Sequence, residues 1–380
     1  MGRRSGRAGW RILVSALVLA LAVVVAACGS SSNSSTSSSG STPSSGGGAK
    51  KGNYTIALSN SFLGNTWRQT MVRIFQNTAK QAQSQGLIKS YKVENAANGT
   101  ATEQIAQLKS LILQHVNAIL IDAASADALN PTIKQACNAG ITVVVFDSLA
   151  TEPCAYKLED SIAAYGFQEG NFVGQKMGGK GNLLMVRGVV GSAPEKVIYD
   201  NQLKALKKYP GIKIVRSLVG QASNSVTQQA VAGALPSLPP VQGVVTGGSS
   251  LGAVQAFQSA HKAIPVVAFD NSGEALRFWA KQHQKNGYSA VSVRTEPGQA
   301  AVAFWMALDV LQGKKIPNKI YTFPNVVIKQ GDLQQWLQAT PNGSVAAYNW
   351  TQPLVEQALQ AQQNGQPVKT PPIPTSPPGA

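Results

Sequence analysis

Residues 141–148 read Ile-Thr-Val-Val-Val-Phe-Asp-Ser, and residues 264–271 read Ile-Pro-Val-Val-Ala-Phe-Asp-Asn. Each is a short β-branched run closed by Phe-Asp, the pattern of a buried strand whose carboxyl end carries an acid. Each is also the fourth strand candidate in its half of the chain. Before the first come strand candidates 54–59, 91–94 and 118–121, separated by helical stretches 66–85, 102–114 and 129–139. Before the second come strands 182–186, 213–215 and 243–245, with helices 195–208, 225–235 and 251–261 between them. A helix over 275–285, a strand over 290–293, a helix over 299–311 and a strand near 325–328 follow. Such alternation builds parallel sheets from βαβ units. The repeat therefore predicts an α/β protein of two doubly wound, Rossmann-like domains. Ligands bind beyond the carboxyl ends of strands in open sheets of this kind, so two facing domains bring Asp147 and Asp270 to one cleft.

Length agrees, because 380 residues exceed one typical core and suit two. An apolar share of 43% with 13% charged residues is that of a globular protein. The amino terminus stands apart. Arg3, Arg4, Arg7 and Arg11 precede an uncharged apolar run over 12–27, which at about 1.5 Å per residue falls short of the roughly 30 Å hydrocarbon core. It reads as a signal peptide over 1–27. Val25-Ala26-Ala27-Cys28-Gly29 resembles the lipobox of bacterial lipoproteins, in which the cysteine is acylated and becomes the new terminus; simple secretion or a short anchor is the alternative. From Gly29 to Gly48 every residue is Ser, Gly, Asn, Thr or Pro. Residues 28–52 are thus expected to be a lipidated cysteine and flexible tether, reaching about 25 Å.

Removing residues 1–27 takes four arginines from a formal charge of +16, leaving +12. The basic residues are dispersed, with no run longer than pairs such as Lys207-Lys208 and no nucleic-acid motif, so a basic surface near anionic envelope material is favoured over nucleic-acid binding. With Cys28 assigned to lipid, Cys137 and Cys154 form an even pair in a disulfide-permitting compartment. They are expected to be bridged, two separately buried thiols being the alternative.

Enzyme patterns are present and weak. Gly248-Ser249-Ser250-Leu251-Gly252 fits G-x-S-x-G between a strand and a helix, and Asp270 and His283 follow in hydrolase order. Yet Asp270 comes from the very next strand and is already explained by the repeat, so a secreted serine hydrolase using Ser250 stays a remote alternative. Residues 246–253 half-match a short-chain dehydrogenase loop, but Leu251 and Ala253 replace two of its glycines. GQKMGGK, residues 174–180, has P-loop spacing, but Gly181 stands where a Mg²⁺-binding hydroxyl belongs and the stretch precedes its strand. His115, His261 and His283 are scattered without metal-ligand spacing. Neither cofactor nor metal is expected. What remains is recognition of a polyol: an aromatic face for an apolar ring, and Asn, Asp and Arg for neighbouring hydroxyls.

From about Asn53 to Gln330 the chain resembles the type I periplasmic binding proteins of sugar ABC transporters, the ribose- and galactose-binding class. TIALSNSFLGNTWRQTM, AILIDAASADAL, AGITVVVFDS, GGKGNLLMV, LKALKKYPGIKIV and IPVVAFDN carry the resemblance. The Trp67-Arg68 pair looks more like the branch that includes the galactofuranose-binding protein than like the ribose branch. The resemblance implies ligand contacts from Asn65, Trp67 and Arg68 in the first strand-to-helix turn, Asp122 after the third strand, and Asp147 with Ser148 after the fourth. In the second domain it implies Thr246, Asp270 with Asn271, and the hinge-side pair Arg294 and Thr295. Three crossing segments fall near 158–161, 294–297 and 323–325. Residues 53–159 with 297–323 then form one lobe and 160–296 with 324–350 the other, before a C-terminal helix and Pro-rich tail over 351–380, extended or disordered from Asn364.

Departures from the family accompany these matches. Ser148 stands where an Arg is common, Ile198 or Tyr199 where a second-domain Arg usually meets the sugar, and Thr246-Gly247 replaces Asn-Asp. Each contact also has a structural alternative: Trp67 as core, Arg68 facing solvent, Asp147 and Asp270 as turn caps. The expectation is a monomeric, lipid-anchored extracytoplasmic substrate-binding protein, capturing a small polar ligand such as a monosaccharide for an ABC permease and performing no reaction. The same fold serving a non-sugar ligand or a sensor is the alternative.

Overall fold

The computed structural model describes residues 52–378; the expected leader, lipid-bearing Cys28 and nearly all of the tether lie outside them. The chain first builds β1 (Thr55–Asn60), α1 (Thr66–Ser84), β2 (Ser90–Asn95), α2 (Ala101–Leu113), β3 (Ala118–Asp122), α3 (Asn130–Asn138), β4 (Thr142–Phe146) and β5 (Tyr156–Asp160). A second set follows: α4 (Ile162–Lys176), β6 (Lys180–Arg187), α5 (Ala193–Leu206), β7 (Gly211–Val219), α6 (Asn224–Ala234), β8 (Gly243–Thr246), α7 (Ser250–Ser259), α8 (Gly273–Asn286) and β9 (Ser292–Arg294). The rest is α9 (Gln299–Leu311), β10 (Ile320–Phe323), β11 (Val326–Ile328), α10 (Leu333–Ala339) and α11 (Gln352–Gln363).

The first sheet runs β10-β5-β4-β3-β1-β2, and every pairing in it is parallel. β3 is buried at every residue because helices cover both faces of the sheet. Phe75 of α1 meets Phe304 of α9 edge-on at 6.1 Å over one face. Leu108, Leu111 and Ile133 of α2 and α3 pack with Ile119 and Ile121 on the other.

The second sheet is a parallel β7-β6-β8 ladder. It is extended by single bridges, Gly243 to Val266 and Phe269 to Ser292, and then by the antiparallel pair β9-β11. Residues 266–269 were expected as a full strand and form only those bridges, since Pro265 supplies no donor where the ladder would begin. The Phe-Asp echo survives in position: Phe146 and Phe269 are both buried, and an aspartate follows each at the carboxyl end.

The chain passes between the sheets after β5, after β9 and after β10. Cys137 at the end of α3 is bridged to Cys154, with Cα atoms 6.4 Å apart, tying the α3 layer to the approach to β5. α11 packs on α9, and beyond it residues 366–378 have no regular structure while Val368 and Ile373 pack against the core. Among the described residues no helix is long and apolar enough to cross a membrane.

Candidate functional site

The strand ends of the two lobes face a cleft of 870 Å³, with a smaller cavity of 250 Å³ beside it. Asn65, Trp67, Ala222 and Arg294 line both. Asp147 and Ser148 open onto the larger, Asp270 and Asn271 onto the smaller.

The first turn is built by Asn65, whose side-chain oxygen accepts from the Arg68 N–H at 2.8 Å and caps α1. That cap sets Trp67 and Arg68 at the start of the helix, pointing to the junction. Trp67 is only 8% exposed, and its indole N–H donates to the Thr295 carbonyl at 3.2 Å. It is therefore both a core residue and a lining residue. The Arg68 guanidinium donates to Asn60 Oδ1 at 3.1 Å and to Asp147 Oδ2 at 3.4 Å, lies 5.6 Å from the Trp67 ring centre and touches the Asp122 carboxylate. The contact with Asp122 is close in charge and distance without the alignment of a hydrogen bond.

Asp122 is fully buried behind Arg68 and does not line the cleft. Burial pushes its carboxyl well above the carboxylate range; Arg68 opposes that and the neighbouring Asp147 adds to it. Asp147 is raised for the same first reason, against the pull of Arg68 and Arg294. Its backbone sits in the left-handed region at φ 56°, which Asp tolerates, with its N–H held by Gln299 Oε1 at 3.1 Å. Ser148 accepts from the Ala123 N–H through its carbonyl, at 2.9 Å.

Across the cleft, Thr246 is 2% exposed and lines neither space. Its hydroxyl accepts from the N–H groups of Gly248 and Ser249 at 3.3 and 3.4 Å, and so shapes the turn instead of meeting solvent. Asp270 lines the smaller cavity but is heavily engaged: one oxygen accepts from Ser250 Oγ at 3.1 Å and Leu251 N–H at 3.2 Å, the other from Ser272 Oγ at 2.5 Å. Ser250 is thus held on Asp270, donating to its carboxylate and accepting from its N–H at 2.6 Å, while His283 lies in the last turn of α8, bonded to the Tyr288 carbonyl. Roughly ten residues of helix at about 1.5 Å each separate that histidine from Asp270. Asn271 turns its amide to the Ala346 carbonyl at 2.8 Å.

Arg294 rests on Gly248, where φ is 109° and any Cβ would collide with the guanidinium. Its Nη1 donates to Tyr165 Oη at 2.5 Å, and Tyr165 donates to the Thr246 carbonyl at 3.4 Å. Glu169 lies behind them and is fully buried. Burial pushes its carboxyl up to about 7, although it accepts from the Thr246 N–H and Gln202 Nε2, both at 2.8 Å.

Sequence reading missed Tyr165, Glu169 and Arg187. Arg187, at the end of β6, supplies a second-lobe guanidinium to the larger cleft. Glu195 grips it by two bonds of 2.7 Å, and it lies 4.3 Å over the Tyr199 ring. Arginine at the carboxyl end of a strand, eight residues before a glutamate in the next helix, was the available signal.

Residues 56–315 match the periplasmic binding protein domain. The crystal structure of an ABC transporter solute binding protein from Thermobispora bispora DSM 43833 is 45% identical at a TM-score of 0.81, covering 85% of this chain and 100% of that one. The xylitol-binding protein of Mycolicibacterium smegmatis is 30% identical over 189 residues, 48% of this chain but only 54% of that protein's length. The ribose import binding protein of Bacillus subtilis is 25% identical over 291 residues, 71% of this chain and 86% of that protein.

Proposed function

The chain belongs to the periplasmic binding protein domain family, and from that premise we propose that it captures a small uncharged polyhydroxy compound, a monosaccharide or sugar alcohol, for an ABC transporter. The observation that carries this reading is the pairing of two of the three cleft arginines with buried acids, Arg68 with Asp122 and Asp147 and Arg187 with Glu195, while Arg294 bonds to the neutral Tyr165 hydroxyl. A carboxylate or phosphate ligand at either pair would have to displace a buried acid, leaving its charge uncompensated. A hydroxyl both donates and accepts, so it can bond to a carboxylate oxygen and a guanidinium edge without breaking the pair. Relatives named for xylitol and ribose bind compounds of that kind.

In this reading Asn65, Trp67, Arg68, Asp147, Ser148, Arg294 and Thr295 meet the ligand directly, Asp270 and Asn271 bound its end, and Asp122 and Thr246 act through their neighbours. Closure follows from differential affinity: a ligand touching both lobes favours the arrangement in which both touch it. No bond is made or broken. Acylation of Cys28 after removal of residues 1–27 would hold a monomer at the outer face of the membrane. Differential scanning of the purified protein with xylitol, D-ribose, D-allose, L-arabinose and myo-inositol tests the ligand class. A ligand at a hundred times its Kd adds about 2.7 kcal/mol. No shift with any of them overturns the reading.

A further inference from the structure

Three passages of chain between the lobes were expected; residues 340–350 make a fourth. This segment leaves α10 of the second lobe and reaches α11, which packs on α9 of the first. On the way it bonds to both. Toward the second lobe, Arg277 Nη1 donates to the Thr340 carbonyl at 2.8 Å, the Gly343 N–H to Glu274 Oε1 at 2.7 Å, and the Gly273 N–H to the Ser344 carbonyl at 2.9 Å. Asn271 closes a ring with it: the Ala346 N–H donates to the Asn271 carbonyl and the Asn271 amide to the Ala346 carbonyl, both at 2.8 Å. Toward the first lobe, the Val345 N–H donates to Thr70 Oγ1 at 3.2 Å and Arg73 Nη2 donates to the Gly343 carbonyl at 2.8 Å.

The far end is held at the second passage between the lobes. Glu296 accepts from the Tyr348 N–H at 3.0 Å and the Trp350 indole N–H at 2.7 Å, and Trp305 of α9 donates to the Trp350 carbonyl at 3.0 Å. Residues 344–348 are all buried, and Val345 lines the smaller cavity together with Trp67 and Asp270. A chain whose backbone groups alternate between partners on α1 and partners on α8 cannot follow one lobe without breaking bonds to the other. Gly273 shows how close the fit is, for a Cβ there would collide with the Pro341 carbonyl oxygen.

We propose that residues 340–350 are a positioning strap of the binding site, a fourth connection that limits how far the Trp67 wall and the Asp270 wall of the cleft separate before a ligand closes them. Thr70, Asn271 and Glu296 are its positioning residues. The consequence for binding, a site pre-organised on its strap side, rests on the ligand reading above, but the strap itself can be tested without a ligand. Nitroxide labels introduced by a non-cysteine chemistry at the exposed positions Lys80 on α1 and Lys281 on α8 report the lobe separation by pulsed electron resonance. The ligand-free wild type is expected to give one narrow distance distribution. Gly273→Ala, which pushes the strap off α8, and Thr70→Val, which removes its acceptor on α1, are each expected to at least double the width while the protein still unfolds cooperatively. Thr70→Val preserves shape, so it serves if Gly273→Ala does not fold. A broad ligand-free wild-type distribution, or unchanged width in the folded variants, overturns the proposal. Neither result bears on whether sugars bind.

Discussion

The indole N–H of Trp67 donates to the carbonyl oxygen of Thr295, so the first helix of one lobe is pinned to the segment by which the chain leaves the other. Replacing Trp67 by Phe keeps the ring and leaves that buried carbonyl without its donor. The expected cost is about 1–2 kcal/mol of stability with weaker ligand binding. Trp67→Ala removes the ring as well and is expected to cost about 3–5 kcal/mol. Urea titration of the two variants checks the order, and equal stability of wild type and Trp67→Phe would refute the pin.

Arg68 neutralises two acids at once. At a pH where both acids are ionised, Arg68→Met strands Asp122 and Asp147 as buried charges and is expected to destabilise by about 3 kcal/mol. At lower pH they take up the protons that burial already favours, and the loss shrinks. Asp122→Asn in the same chain removes the stranded charge and should restore most of the loss. The double-mutant cycle measures that coupling, and simple additivity would show that the contact carries no energy.

Gly248→Ala should be the most damaging small change at the site. It places a side chain at a backbone conformation suited to glycine and drives Arg294 from its seat beside Tyr165. We expect a loss of about 2 kcal/mol in stability and at least tenfold in affinity. A variant that binds as the wild type does would remove Arg294 from the site.

How much of this was legible beforehand differs from element to element, for physical reasons. β4 and α9 were read at their observed bounds because Thr142–Phe146 is uniformly β-branched or aromatic and Gln299–Leu311 is apolar almost throughout. α4 was not read at all. Gly166, Gly170 and Gly174 lower its helix propensity, yet the first two let α5 approach so closely that a Cβ at Gly170 would lie 2.8 Å from the Gln202 carbonyl oxygen. β5, with Lys157 and Glu159 in five residues, lacks an apolar run and is set by its neighbours β4 and β10. At the site, residue type found the acids without choosing between their roles: Asp270, read as ligand contact or turn cap, does cap a turn, and Asp122 lies behind an arginine, a difference made by neighbours distant in sequence. The strap has no periodicity to read, since its bonds run to Thr70 and Asn271.

Buried acids set the pH response. Burial pushes the carboxyls of Glu169 and Glu296 up to about 7, whereas an unfolded chain releases those protons near about 4.3. The folded state holds protons that the unfolded state gives up between those values. Stability is therefore full below the window and lost as pH rises through it. Asp122 and Asp160, raised well above the carboxylate range chiefly by burial, act in the same direction. Thermal unfolding is expected at a higher temperature near about pH 5 than near about pH 8, with Glu169→Gln flattening the difference. A midpoint that climbs across that interval contradicts the assignment.

The bridge between Cys137 and Cys154 closes a short loop, with a sequence separation of 17. Its reduction is expected to cost about 3 kcal/mol, read as a fall in the thermal midpoint in the presence of a reductant. Free thiols found by mass spectrometry in the unreduced protein would exclude the bridge.

Capture of an uncharged polyol between the lobes is the central claim, and isothermal titration of xylitol and the aldopentoses into wild type and Asp147→Ala tests it most directly. The account predicts one-to-one binding of at least one of these compounds to the wild type and at least a tenfold loss in the variant. Binding that is indifferent to Asp147, or titration by none of the neutral compounds together with tight binding of a sugar phosphate or sugar acid, would contradict it.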